Sequence, residues 1–151
     1  MVILSNIPDT FFSEIRKVEI YKAEQLSHIA ALNGRFPQGE PLFVIDNIIP
    51  EEFERSIKQK KDEGNPYYDI DINFNCYDSN YLHWEHIISR LNKQRFSIVL
   101  LTNNYKLIIG NEMTPLSVDV IDKRKDDNSG KDYIGLNIYG NVIIAPKYCP
   151  L

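Results

Sequence analysis

Tyr67-Tyr68-Asp69-Ile70-Asp71-Ile72-Asn73-Phe74-Asn75-Cys76-Tyr77 is the stretch on which the reading of the fold turns. Tyr68, Ile70, Ile72, Phe74 and Cys76 take every second position, and Tyr67, Asp69, Asp71, Asn73 and Asn75 take the positions between. Successive side chains of an extended chain point to opposite sides, so this period of two predicts a strand with one face in a core and one in water. The same alternation recurs at residues 16–22, with Val18 and Ile20 set against Lys17, Glu19 and Tyr21. It recurs again at 116–122, where Leu116, Val118, Val120 and Asp122 oppose Ser117, Asp119 and Ile121. Residues 42–45, 96–101, 105–109 and 133–139 are rich in strand formers, and 141–145 reads as a final strand. Asn103-Asn104 predicts a hairpin turn, since asparagine tolerates the positive φ that a tight turn can require.

Helical signals are fewer. Residues 23–33 carry Leu26, Ile29, Ala30 and Leu32 and end at Gly34, the pattern of a short helix with a glycine stop. Pro50 suits the first turn of a second helix, in which Glu51, Glu52 and Glu54 precede Lys58, Lys60 and Lys61. Acid first and base last is the order that complements a helix dipole, and Phe53 and Ile57 would give it a narrow apolar stripe. Ser79 is placed to cap a third helix, whose Trp84, Ile87, Ile88 and Leu91 fall at i, i+3, i+4 and i+7. The expectation is an α+β single domain over residues 1–151, a largely antiparallel sheet with two to four helices packed on it.

The chain has 151 residues, enough to bury a core unaided, and is 43% hydrophobic and 25% charged. That composition excludes a disordered, collagen-like or disulfide-dense class. The net charge of −4 argues against nucleic acid as the main partner, because phosphate binding needs a basic face. No apolar run approaches the 18 or so residues of a membrane helix, so no membrane partner is expected. Residues 1–8 lack the basic segment and long apolar segment of a secretory signal, which points to the cytoplasm. Cys76 and Cys149 then read as two reduced thiols.

Catalytic signals are sparse. His83-Trp84-Glu85-His86 puts two imidazoles one helical turn apart, with Asp78 or Cys76 near enough to add ligands. The spacing is not the His-Glu-x-x-His of a zinc protease, and polar residues flanking the Trp84 stripe explain it without metal. Cys76 has acidic company in Asp78, which disfavours a thiolate, so it reads as a packed sheet residue. Asp69 and Asp71 share one side of a strand; such a pair can do acid–base work, but alternating aspartates also make an ordinary solvated face. Lys123-Arg124-Lys125 suits the tip of a hairpin. No phosphate loop or nucleophile elbow is present, and neither an enzyme nor a cofactor is expected.

Charge is most informative where it is missing. Between Lys61 and Arg90 no Lys or Arg occurs, while Asp62, Glu63, Asp69, Asp71, Asp78 and Glu85 give that stretch a charge of −6. Tyr67, Tyr77 and Tyr81 lie among these acids. Acids mixed with tyrosines suit capture of a basic protein: charge steers the encounter, and aromatic rings supply contact area at low entropy cost. The candidate contacts are Asp69, Asp71, Asp78, Glu85, Tyr67, Tyr77 and Tyr81, followed by Glu51, Glu52 and Glu54.

The segment Met113-Thr114-Pro115-Leu116-Ser117-Val118-Asp119-Val120-Ile121-Asp122-Lys123, followed by Lys131-Asp132-Tyr133-Ile134-Gly135-Leu136-Asn137-Ile138, resembles the corresponding portion of immunity proteins from bacterial polymorphic toxin and contact-dependent inhibition systems. The resemblance covers about a third of the chain and holds no catalytic signature; the chain is shorter and ends differently, on Ala145-Pro146-Lys147-Tyr148-Cys149-Pro150-Leu151. It implies a cytoplasmic protein that binds a cognate toxin domain, many of which are basic nucleases, and blocks its active site. Two other readings stay open: a small enzyme using Asp69/Asp71 or a His83/His86 metal site, and a phage or host regulatory module that binds another protein.

Overall fold

The computed structural model describes residues 14–77, 81–91, 94–123 and 133–150. Among these described residues, nine strands run in the order β1 (Lys17–Lys22), β2 (Phe43–Ile45), β3 (Glu54–Asp62), β4 (Asn65–Tyr77), β5 (Phe96–Leu101), β6 (Tyr105–Ile109), β7 (Ser117–Asp122), β8 (Tyr133–Val142) and β9 (Lys147–Pro150). Two helices interrupt them, α1 (His28–Leu32) and α2 (Tyr81–Leu91), with single 3-10 turns at Ala23–Gln25 and Pro50–Glu52. The strands form two sheets, β2-β1-β5-β6-β9 and β3-β4-β8-β7, in which every neighbouring pair is antiparallel. The expected α+β architecture, one sheet under two to four helices, is therefore corrected: the protein is mostly β, and its core lies between two sheets.

That core follows from the alternation. Val18 and Ile20 of β1 and Ile98 and Leu100 of β5 meet Ile70, Ile72 and Phe74 of β4 and Ile134, Leu136 and Ile138 of β8, all buried. Ile87 and Leu91 of α2 join the same cluster. A smaller cluster of Leu26, Ala31, Val99 and Ile108 sits on the other side of the first sheet, beneath α1. Cys76 and Cys149 are unbridged, the first buried in β4 and the second half-buried in β9.

The two sheets are joined by hydrogen bonds at two corners. Phe96 and Leu116 exchange a pair of backbone bonds, each 2.9 Å, at the point where β5 passes β7. Beyond β2, Ile49 N–H donates to the Asn75 carbonyl (2.9 Å) and Tyr77 N–H to the Asn47 carbonyl (3.1 Å), so this segment borders the end of β4. The two sheets are thus tied at both corners by isolated bridges, Phe96 to Leu116 just before β7 and Ile48 beyond β2 to Cys76 of β4.

Leu116 occupies the first corner, fully buried, and two glycines make room for it. A Cβ on Gly110 would stand 3.2 Å from Leu116 Cγ and 3.2 Å from the Phe96 carbonyl oxygen; a Cβ on Gly140 would stand 3.0 Å from Leu116 Cδ2. Gly110 also holds φ at +87°, a conformation that side chains with a Cβ rarely adopt.

Two local expectations are overturned and a third is narrowed. The helix expected from Pro50 is a single 3-10 turn followed by β3, which pairs along its whole length with β4 through a Glu63-Gly64 turn. Both turn residues have positive φ, 50° and 85°, which is the requirement of a two-residue hairpin whose twist matches its strands. The helix expected over residues 23–33 shrinks to α1, and its Ile29 and Leu32 face outward while Leu26 and Ala31 are buried. At the end of the chain, β8 runs on to Val142 and the last strand is β9, not residues 141–145. The Asn103-Asn104 turn is present but uses no positive φ; the Thr102 hydroxyl instead accepts bonds from the N–H groups of Asn104 (3.1 Å) and Tyr105 (3.0 Å).

Two substitutions test this architecture by urea unfolding. Ile72→Ala removes a fully buried side chain from the inter-sheet core and is expected to cost about 2–5 kcal/mol. Gly110→Ala, a smaller change in volume, is expected to cost about 1–3 kcal/mol because it strains the backbone and crowds Leu116 together.

Candidate functional site

The outward face of the second sheet carries the polar half of the alternation. Because β3–β4, β4–β8 and β7–β8 are all in fixed register, side chains distant in sequence fall into rows across four strands. One row is Glu54, Asn73, Asn137 and Asp119, taken from β3, β4, β8 and β7 in turn. The next row on one side is Ser56, Asp71, Tyr139 and Ser117; on the other side it contains Asn75, Gly135 and Ile121.

These rows are bonded to one another. Asp71 Oδ1 accepts from Asn137 Nδ2 (2.9 Å) and from Asn73 Nδ2 (3.2 Å), and Asn137 Nδ2 also donates to Asn73 Oδ1. Tyr139 donates its hydroxyl to Asp119 Oδ1 (3.4 Å). Asn75 donates to Glu52 Oε2 (2.8 Å) and accepts from Lys123 Nζ (3.0 Å). At the far end Tyr77 and Tyr133 lie opposite each other with ring centroids 5.9 Å apart. Phe53 stacks on the buried Phe74 (5.3 Å between centroids), which holds the Pro50–Glu52 turn against the margin of the face.

A groove of about 340 Å³ opens on this face, bordered by Glu51, Glu52, Glu54, Asn73, Asn75, Ile121 and Lys123. Gly135 is on its floor: a Cβ there would lie 2.9 Å from Lys123 Cε and 3.1 Å from Asn75 Oδ1, so the lysine stem rests where a side chain of β8 would otherwise stand.

Of the residues singled out from sequence, Tyr67, Asp69, Asp71 and Tyr77 share the outward side of β4, and Glu51, Glu52 and Glu54 border the groove beside it. Glu85 is exposed but belongs to α2 and not to the sheet. Asp78, Ser79, Arg124, Lys125 and the side chains of Tyr81, His83 and Trp84 lie outside the described residues. Among the described residues, no group of three or more His, Cys, Asp or Glu is arranged to hold a metal ion.

The idea of a cation-free patch needs correction. It holds along the sequence but not in space, because β3 brings its lysines alongside β4. Lys58 lies directly opposite Asp69, and Lys60 Nζ pairs with Asp69 Oδ2 at 3.1 Å. The face is therefore graded and not free of cations: Lys58 and Lys60 stand beside Tyr67 and Asp69, while carboxylates predominate around Glu51, Glu52, Glu54, Asp71 and Asp119, with Lys123 in the groove and Arg95 bonded to Ser117 at the β7 margin. Sequence reading missed Asn137, Asp119, Tyr139, Tyr133 and Lys123. The signal for most of them was the alternation of 116–122 and 133–139, but only the register between strands says that they meet β4.

On the other sheet, the Tyr21 hydroxyl donates to Glu19 Oε2 (2.9 Å); burial and that carboxylate push the phenol up to about 12. This group lies away from the polar rows, on β1.

The Lys60–Asp69 pair is half exposed, and exposed ion pairs contribute little to stability. Asp69→Asn and Asp71→Asn are therefore each expected to shift unfolding free energy by less than about 1 kcal/mol. Chemical denaturation of both variants checks this, and establishes that any loss of binding they show reads the surface and not the fold. No protein-family profile, curated protein or solved structure matches this chain.

Proposed function

We propose that the chain is a protein-binding inhibitor, an immunity protein that neutralises a cognate toxin domain in the cytoplasm, and that the anionic part of the second sheet's outward face meets a basic surface of that toxin. One observation carries the docking part of the reading: Asp71, Asp119, Glu52 and Glu54 come from four separate elements and converge on one open face with Tyr77, Tyr133 and Tyr139. The toxin part rests on the resemblance of residues 113–123 and 131–138 to immunity proteins.

The chemistry suits capture of a macromolecule. Carboxylates arranged over a face raise the rate of encounter with a basic partner, and the effect weakens as salt screens it. The amide bonds from Asn73 and Asn137 hold Asp71 in one position, so little side-chain freedom is lost when a partner docks. Tyrosines at the margins supply rigid amphipathic contact area. A basic nuclease would meet this face through the surface it uses for phosphates, which is how such docking blocks activity.

The test is co-expression and binding with the toxin domain encoded beside this gene. The native chain is expected to restore growth of cells producing the toxin. Paired reversal of Asp71 and Asp119 to Lys is expected to slow association by about tenfold or more at low salt, with the difference shrinking as salt rises. Unchanged association would place the contact on another face, and absence of protection with no binding would overturn the inhibitor reading itself.

A further inference from the structure

We infer that the groove over Gly135 receives an arginine side chain of the protein partner, and that Lys123 is the internal cation which that arginine displaces. The inference rests on the docking reading above and names the point of contact within it.

The groove has three properties that point to a tethered cation. First, it has a floor without a side chain: at Gly135 the sheet face is bare, and the hydrocarbon stem of Lys123 lies in that space. Second, a cation already sits there, with Lys123 Nζ donating 3.0 Å to Asn75 Oδ1. Asn75 in turn donates to Glu52, which polarises its carbonyl oxygen toward a positive donor. Third, the capacity of the groove exceeds its occupant. At about 340 Å³ it is many times the share of one water molecule, about 30 Å³, and its walls offer carboxylates at Glu51, Glu52 and Glu54.

Arginine fits these walls better than a second lysine does. Its planar guanidinium presents paired N–H donors that match a carboxylate edge to edge, while an ammonium acts as a point charge. The Lys123 stem is exposed and ends in a flexible group, so it can leave the notch without disturbing the strands. An arriving arginine then takes over the bond to Asn75 and adds contacts that Lys123 does not make.

The experiment needs no toxin. The isotopically labelled full chain is titrated with N-acetyl-arginine methylamide, and the side-chain amide signals of Asn73 and Asn75 are followed by NMR. The neutral, isosteric citrulline analogue serves as control. Saturable shifts are expected with arginine and not with citrulline. Removing the internal competitor by Lys123→Ala is expected to tighten arginine binding by about threefold to tenfold, and Glu52→Gln to weaken it by a similar factor. Equal shifts from the citrulline analogue, no shift from arginine, or unchanged or weaker affinity in Lys123→Ala would each overturn the inference. Its failure is distinguishable from failure of the docking reading, because growth protection and salt-dependent association report on the whole face without involving this probe.

Discussion

The pair of backbone hydrogen bonds between Phe96 and Leu116 is the constraint on which the remaining architecture depends. Without it the two antiparallel sheets, each with an apolar face to bury, would be hydrogen-bonded only where Asn47 and Ile49 meet β4. With it the sheets share a corner, and the apolar sides of β1 and β5 are held over those of β4 and β8. The corner is sterically exacting, since Leu116 has to fit between Gly110 and Gly140 while both of its backbone bonds stay formed. A second contact, where Asn47 and Ile49 border β4, keeps the opposite side from opening. The two corners settle which side of β4 faces the core. They therefore also settle that Tyr67, Asp69, Asp71, Asn73 and Asn75 face away from it.

How much of this was legible depended on whether each strand has two different faces. β4 was readable because its inner positions are Ile, Phe and Cys and its outer positions Asp and Asn, so a local pattern carries global information. β3 was not. It is an edge strand whose residues are mostly exposed on both sides, with Ile57 alone of its own residues packing against the core. Lys and Glu at such positions solubilise an edge and discourage foreign pairing, yet the same residues in that order imitate the charge gradient of a helix. The deciding signal was the Glu63-Gly64 turn, which reads as a loop unless the residues before it are already taken for a strand. The first helix is shorter than its pattern suggests for a related reason: Ile29 and Leu32 sit at helical spacing but face water, so the apolar pattern promised burial that α1 does not provide.

The candidate site shows the same division. Residues on β4 could be chosen from sequence, because they are neighbours on one strand. Their partners could not, because register joins positions far apart: Asn137 meets Asp71 and Asn73 from the other end of the chain, and Lys123 reaches Asn75 across Gly135. Charge suffered most from this limit. A stretch free of cations along the chain acquired Lys58 and Lys60 as lateral neighbours once β3 folded against it.

That acquired asymmetry constrains any partner more tightly than net charge does. Along the axis of β4 the neighbouring strand presents Lys60, Lys58, Ser56 and then Glu54, a passage from cation through a neutral residue to anion over a few strand residues. A uniformly basic partner placed at the Tyr67 end would meet like charge, which costs free energy, whereas at the Asn73 end it meets Glu54, Asp119 and the carboxylates bordering the groove, which outnumber Lys123 and Arg95 there. Translation along the strand direction therefore changes the sign of the interaction, so the face distinguishes positions and not only partners. The bonded network reinforces that preference. A carboxylate fixed by two amides, as Asp71 is, cannot swing to follow a misplaced cation, so a partner that arrives out of place loses contact without compensation.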